Sequence, residues 1–311
     1  MKAIRIHQFG EPDVLTLEKV PVPEAGPHDV LVRVRAAGVN PVDAKTRAGK
    51  ALYRDTKPFP FIPGWDVSGV VVGKGEQANR FNIGDEVYGM VRFPQIGSAY
   101  AEYASAPQDH LSLKPGNLSH IEAAALPLVS LTAWQALFDA ANLSRNQTVL
   151  IHAAAGGVGH IAVQLAKSVG AYIHGTASEN HRDFLLDLGV DNFIDYRKTR
   201  FEEALEGVDV VLDILGGETR DRSWQVLKQG GTLVSLRSMP FGNEPETYKV
   251  RGKSILVYPN AAQLTQLSDL IENHAIHPHI FRTIPLDAAA AAHRLLEQGH
   301  TEGKIVLSIS G

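Results

Sequence analysis

No stretch of this chain constrains its fold more than Val149-Leu-Ile-His-Ala-Ala-Ala-Gly-Gly-Val-Gly-His-Ile-Ala-Val-Gln-Leu-Ala-Lys167. An apolar strand runs into a glycine turn, and the turn opens an apolar helix. In a parallel α/β sheet such a turn aims unpaired backbone N–H groups and the positive end of the helix dipole at an anion. A dinucleotide pyrophosphate is the expected ligand, lined by Ala154, Gly156, Gly157, Val158 and Gly159. Gly156 lets the backbone approach the phosphates, and Gly159 lets the helix pack closely on the strand. The first glycine of the G-x-G-x-x-G pattern is missing, with Ala154 in its place. Glycine turns between a strand and a helix also serve packing alone, so the motif stands on its context.

The 311 residues suffice for two domains, and 44% hydrophobic residues fill a core without staples. A net charge of −4 with no run of Lys or Arg points away from nucleic acid and anionic membranes. Cysteine is absent, which excludes disulfides, thiolate-ligated zinc and a cysteine nucleophile. Met1-Lys-Ala-Ile-Arg-Ile-His7 is too short in apolar length and too charged for a signal peptide, and no apolar run reaches spanning length. A cytoplasmic, soluble protein is expected.

Through the first third, Ala3–His7, Val14–Lys19, Val30–Ala37, Val67–Gly73, Glu86–Val91 and Ala99–Ala104 have strand patterns broken by prolines. Short strands at this spacing, without helices between them, predict a β-barrel-like domain. Ser119-His-Ile-Glu122 has the form of a capping box. From Thr148 strands and helices alternate, with strands expected at 148–153, 171–176, 192–195, 208–213, 231–236 and 254–257. Helices are expected near 157–169, 179–188, 200–205 and 219–228, and alternation of this kind makes a parallel sheet with helices on both faces. The helix from Ala261 to about Asn273 is expected to close this region. The strand, helix and strand that follow return to the first domain.

Six markers occur in order: Ala36-Ala-Gly-Val-Asn-Pro-Val-Asp-Ala-Lys45, Ile62-Pro-Gly-Trp-Asp-Val-Ser-Gly69, Ile83-Gly-Asp-Glu-Val-Tyr-Gly89, Ala153-Ala-Ala-Gly-Gly-Val-Gly159, Asp213-Ile-Leu-Gly-Gly217 and Gly303-Lys-Ile-Val-Leu307. With them the chain resembles, end to end, the zinc-free branch of the medium-chain dehydrogenases/reductases, namely quinone oxidoreductases and enone or alkenal reductases. The resemblance implies an α/β fold: a GroES-like β-barrel catalytic domain over 1–122 and 275–311, and a Rossmann doubly wound parallel sheet over 123–274. It implies an active site in the cleft between them, and a homodimer through the edge strand near Lys253–Tyr258. It also implies where alcohol-dehydrogenase zinc ligands would lie: a Cys at the place of Asn40 and a His at the place of Trp65. An indole has no lone pair for a metal, and an amide oxygen is a poor zinc ligand. Asp66 keeps the acidic position, but one carboxylate builds no zinc site.

The second strand of the alternating region ends near Ala177-Ser178, without the acidic residue that accepts from a ribose 2′-OH. A 2′-phosphate meets no repulsion there. Arg182, Ser178 and Tyr196 can hold one through a guanidinium and two hydroxyls, and in the resembled family a Lys and a Tyr stand at the places of Arg182 and Tyr196. NADPH (NADP) is therefore the expected cofactor. The other reading makes Arg182 a solvated helix residue and Glu179 the ribose ligand.

The resemblance places Asn40, on its Asn-Pro-x-Asp turn, at the nicotinamide pocket. Its amide donates there to a substrate carbonyl or a ribose, or Asn40 is simply a turn residue beside Pro41. Asp43 and Lys45 form a local ion pair or are surface charge. Tyr53 is a candidate proton donor, and Trp65 a candidate aromatic wall. Thr132 and Lys304 resemble family residues near the cofactor, with helix packing and strand flanking as the alternatives. His274, His277 and His279 are irregularly spaced around Pro278 and make no expected metal site. The expected activity is NADPH-dependent hydride transfer to a small electrophilic substrate, a quinone or an α,β-unsaturated carbonyl. A NADPH-binding structural or regulatory protein and an enoyl-thioester reductase are the other readings.

Overall fold

The computed structural model describes residues 1–51, 59–237, 241–299 and 301–310. They divide into two compact units, Met1–Leu131 with Tyr258–His274 and Pro278–Gly311, and Thr132–Val257 with Ala275–His277.

In the second unit six parallel strands stand in the order Asn192–Asp195, Tyr172–Ala177, Thr148–Ile151, Val208–Asp213, Leu227–Ser235 and Arg251–Ser254. In chain order this is 3-2-1-4-5-6, the doubly wound arrangement that the alternation predicts. Every residue of Val208–Asp213 is buried, as a strand covered on both faces requires. The helix Gly157–Ser168 buries Ile161, Val163 and Leu165. The sixth strand lies three residues earlier than the apolar run predicts. Thr232–Ser235 pairs with Arg251–Ser254, and Leu256 is left 60% exposed beyond the ladder.

The first unit is built on a seven-stranded, mostly antiparallel sheet. Its order is Ile280–Pro285, Lys304–Ser308, Asp29–Val39, Asp66–Lys74, Glu86–Met90 and Leu111–Leu113, with Tyr103–Pro107 also paired to Asp29–Val39. The long strand Asp29–Val39 is the spine. Asp29–Arg33 pairs with Tyr103–Pro107, and Ala36–Val39 pairs with Lys304–Ser308. Val30, Val32 and Val34 alternate into a core shared with Tyr100, Leu111 and Leu307.

Three expectations change here. Ala99–Ala104 is not one strand: Tyr103–Pro107 is, and Tyr100 is held instead by bonds to Pro63 O and from Ile4 N–H. A helix, Pro41–Arg47, interrupts the predicted run of strands. The helix Ala261–Glu272, which the sequence pattern joins to the alternating region, lies in the first unit. Its face carries Leu264, Leu267 and Ile271, and Tyr88 Oη donates to Leu264 O at 2.9 Å. The Ser119 capping box forms as predicted, with Glu122 N–H donating to Ser119 Oγ and Ser119 N–H to Glu122 Oε2. Among the described residues no helix is long and apolar enough to cross a membrane.

Candidate functional site

The glycine turn occupies the carboxyl end of the first strand of the parallel sheet. Gly156 is the N-cap of the helix Gly157–Ser168 in an extended conformation, with no side chain capping it. The N–H groups of the first turn, from Gly157 and Val158 onward, are therefore left for a ligand. A Cβ at Gly156 would meet only Ala153 O, at 3.3 Å, so its outer side is open. A Cβ at Gly159 would stand 2.3 Å from Ala153 O and 2.6 Å from Ala154 O, so this glycine is where helix and turn touch. Ala154 N–H donates to Thr176 O at 3.0 Å, and its side chain is buried. The left-handed residue is Ala153, at φ 49°, one place earlier than the missing motif glycine.

His152, just ahead of the turn, is 1% exposed and bonds across the unit. Its Nδ1 lies 3.1 Å from Thr176 Oγ1 and its Nε2 lies 2.9 Å from Ser223 Oγ. Ser223 Oγ donates to Thr219 O, so it accepts from His152 Nε2–H. Burial pushes this imidazole down to about 4, and it is neutral at physiological pH.

At the ends of the second and third strands, Asp195 pairs with Ala177, which sets Ser178 beside Tyr196. Ser178 is 4% exposed and caps a 3-10 turn, while the Tyr196 ring is half exposed. Arg182 starts the next helix, lies over the Phe193 ring at 5.4 Å, and reaches Glu179 at 3.7 Å. Lys198 Nζ donates to Glu179 Oε2 at 2.9 Å, and Arg197 lies over the Tyr196 ring at 5.7 Å. Glu179 is thus flanked by two cations. Arg197 and Lys198 directly follow Tyr196, and the sequence pattern alone does not single them out.

The first unit carries the second group of candidates. Asn40 is the N-cap of Pro41–Arg47, with Pro41 at the first helical position. Asn40 and Asp43 form a capping box at the start of this helix, and the Asn40 side chain also bonds outside it. Asn40 Oδ1 accepts from Lys304 Nζ, and Asn40 Nδ2 donates to Asp66 Oδ2 at 2.8 Å. Ammonium on one side and carboxylate on the other fix which way the amide points. Within the capping box, Asp43 Oδ2 accepts from Asn40 N–H at 2.6 Å.

Lys304 Nζ also donates to Val39 O at 2.8 Å and stands 4.0 Å from Asp66 Oδ2. Asp66 Oδ1 accepts from Leu128 N–H at 2.9 Å. Asn40, Asp43 and Asp66 are 0% exposed and Lys304 is 3% exposed. Burial raises Asp43 to about 7 and Asp66 to about 6 against the pull of Lys304, and it lowers the Lys304 ammonium. The cation acting on Asp43 is Lys304. Asp43 and Lys45 are two apart on a helix and do not face each other, so the expected local ion pair is not the arrangement found.

Trp65 is 2% exposed, donates from Nε1 to Gln95 O at 2.6 Å, and meets the Phe93 ring edge-on at 5.3 Å. Thr132, in the helix Pro127–Trp134, is 6% exposed. Tyr53 lies outside the described residues. Among the described residues no three His, Cys, Asp or Glu side chains gather as metal donors. The structure thus brings Asn40, Asp66 and Lys304 together in one unit, and the glycine turn, Ser178, Arg182 and Tyr196 onto one sheet in the other.

Residues 26–116 match the family model described as an alcohol dehydrogenase GroES-like domain, and residues 188–307 match that of a zinc-binding dehydrogenase. A 2-methylene-furan-3-one reductase of Solanum lycopersicum is 37% identical over 99% of this chain and 79% of its own length. A chloroplastic NADPH-dependent alkenal/one oxidoreductase of Arabidopsis thaliana is 36% identical over the same shares. The solved quinone oxidoreductase of Coxiella burnetii superposes with a TM-score of 0.93 at 39% identity, covering 100% of this chain and 99% of that one. With its GroES-like first unit and Rossmann-type second unit, the chain belongs to the medium-chain dehydrogenase/reductase superfamily of oxidoreductases, in the group that holds the quinone and alkenal/one oxidoreductases.

Proposed function

We propose that the protein is a zinc-independent, NADPH-dependent oxidoreductase that reduces a quinone or an α,β-unsaturated carbonyl. The observation that carries this reading is the cationic cluster of Arg182, Arg197 and Lys198 beside the Ser178 and Tyr196 hydroxyls, on the sheet that bears the glycine turn. Three cations against Glu179 and Asp195 suit a 2′-phosphate, and no acid ends the second strand to oppose it. The likeness to an NADPH-dependent alkenal/one oxidoreductase and to a quinone oxidoreductase supports the same cofactor and acceptor class.

In this reading the second unit is the dinucleotide-binding domain and the first the catalytic domain. Bound there, NADPH supplies the hydride. The open side of Gly156 and the free N–H groups of the first turn hold its pyrophosphate. Ser178, Arg182 and Tyr196, with Lys198, hold the 2′-phosphate. Asn40 and Trp65 frame the acceptor site, and Asn40 keeps one Nδ2 proton, beyond that given to Asp66, for charge growing on an acceptor oxygen. Zinc independence rests on the donor set: an amide already bonded to an ammonium, an indole bonded to Gln95 O, and one carboxylate. The strand Arg251–Ser254 forms an edge of its sheet and is the proposed dimer contact.

The test is oxidation of NADPH and NADH, followed at the nicotinamide absorbance, with a quinone and with an alkyl enone. Turnover with NADPH is expected with at least one acceptor. A charge-assisted bond to phosphate is worth about 1.5–3 kcal/mol, or roughly 10- to 100-fold, so Arg182→Ala raises KM for NADPH by that factor and leaves KM for NADH unchanged. Equal use of NADH, or no turnover with either acceptor, refutes the proposal.

A further inference from the structure

Among the described residues nine buried side-chain polar atoms make no hydrogen bond, and one of them, Asp209 Oδ1, is ion-paired with Lys228. Five of the others fall on two packed helices: Asp43 Oδ1, Thr46 Oγ1, Arg47 Nε and Nη1, and His293 Nδ1. The grouping follows from two helices. Positions 43, 46 and 47 are i, i+3 and i+4 on Pro41–Arg47, so they share a face. Positions 293 and 297 are i and i+4 on Ala289–Glu297, the helix packed against it. Asp43 and His293 are 0% exposed, and Thr46 and Arg47 are 1% exposed.

The bonds already made fix what the remaining atoms want. Tyr100 Oη donates to Asp43 Oδ2 at 3.2 Å and lies 3.3 Å from His293 Nε2. With its proton given to the carboxylate, Tyr100 accepts from His293 Nε2–H, and Nδ1 is left as a bare acceptor. With Asp43 ionised, the site holds two acceptors, Asp43 Oδ1 and His293 Nδ1, together with the Nε–H and Nη1–H donors of Arg47. The Thr46 hydroxyl can serve as either. Arg47 Nη2 is engaged by Glu297, whose side chain is 38% exposed.

A halide cannot satisfy the two acceptors, and a metal ion cannot bind beside the guanidinium. Only a small molecule that both donates and accepts suits all five atoms. We propose that helices Pro41–Arg47 and Ala289–Glu297 enclose a structural water site of at least two molecules, bridging Arg47 to Asp43, Thr46 and His293. These waters complete a hydrogen-bonded path from Glu297 at the surface, through Arg47 and His293, to Tyr100, Asp43 and the backbone of Asn40. The proposal does not depend on the redox reading.

The experiment is a crystal structure of the full chain at 1.5 Å or better, grown with and without bromide, paired with oxygen-17 magnetic relaxation dispersion in solution. Two or more ordered waters within hydrogen-bond distance of the five atoms, and unchanged density at the site in bromide, are the expected result. Thr46→Val, a near-isosteric change, then lowers the count of long-lived internal waters by at least one while the fold stays intact. Direct bonds among the five side chains, a dry contact, or an anomalous bromide peak in their midst would each overturn the proposal.

Discussion

Two glycines three residues apart make opposite demands on the protein, and alanine at each separates them. At Gly159 an added Cβ would lie 2.3, 2.6 and 2.7 Å from Ala153 O, Ala154 O and Ala154 C, all backbone. Ordinary contact begins near 3.4 Å, so the helix Gly157–Ser168 must retreat from its own turn by 3.4 − 2.3, or 1.1 Å. Backbone cannot swing aside as a flexible side chain does, and overpacking of this kind costs about 1–3 kcal/mol. For a chain of 311 residues, at about 2.1 cal/mol/K per residue, that lowers the thermal midpoint by roughly 1.5–5 °C.

At Gly156 the only near atom is Ala153 O at 3.3 Å, and its φ of −75° and ψ of 178° suit any residue. Gly156→Ala is therefore expected to fold with stability within about 0.5 kcal/mol of the parent, helped by lower entropy of its unfolded chain. Its methyl group stands instead where a pyrophosphate must approach. Affinity for NADPH should fall tenfold or more, about 1.4 kcal/mol per decade. Calorimetric scanning and a fluorescence titration with NADPH measure the two effects on the same samples. If Gly159→Ala melts with the parent, or if Gly156→Ala binds NADPH as the parent does, the division of labour within the turn is wrong.

Three further outcomes follow from the same geometry. Ala153 holds φ at 49°, a conformation that costs an L-residue about 1–2 kcal/mol, partly offset by the extra chain entropy of glycine. Ala153→Gly should therefore gain about 0.5 kcal/mol in denaturant unfolding, and a loss would contradict it. Lys304→Met strands Asp66 beside an unpaired amide and is expected to cost about 3–5 kcal/mol, most of it regained in Lys304→Met with Asp66→Asn. A double variant no better than the single one would mean that the buried charge is not the cause. His152 has its pKa lowered to about 4, so its contribution is fully present above the unfolded value of 6.5 and is lost as pH falls toward 4. This is roughly 3 kcal/mol for the 2.5-unit difference. His152→Asn should abolish that part of the acid dependence in unfolding curves between pH 6.5 and 4; an unchanged slope would exclude it.

The parallel sheet was legible because a strand, a glycine turn and an apolar helix leave few alternatives, and because the buried stretch Val149-Leu-Ile151 reads as a continuous apolar run. The sixth strand was misplaced because Ile255-Leu-Val257 is more apolar than Arg251–Ser254, whereas an edge strand is chosen by the backbone it pairs with. The helix after Asn40 had its signals in plain view: an N-cap residue, proline at the first position and an acid at the third. The prolines around it suggested only breaks between strands. Lys198 became visible only with the register Asp195 to Ala177, which carries residues 196–198 beside 178 and 179. Asp43, Asp66 and Lys304 could not be recognised as buried, since a charge in a sequence reads as surface until its partner is known. The partners of Asn40 lie 26 and 264 residues away.

That last separation bears on how the chain is made. A ribosome delivers residues in order, and Asn40 emerges long before Lys304. The strand that pairs with Val39 and brings the Lys304 ammonium arrives only after the entire parallel sheet has been synthesised. Until then the strand Asp29–Val39 is half clothed, with its 36–39 end waiting for a neighbour. Contacts of such long range form late and slowly. A nascent chain stalled near residue 300 would thus hold a finished second unit and an unfinished first one. The buried lysine thus orders Asn40 only once residue 304 has been made and its strand has docked.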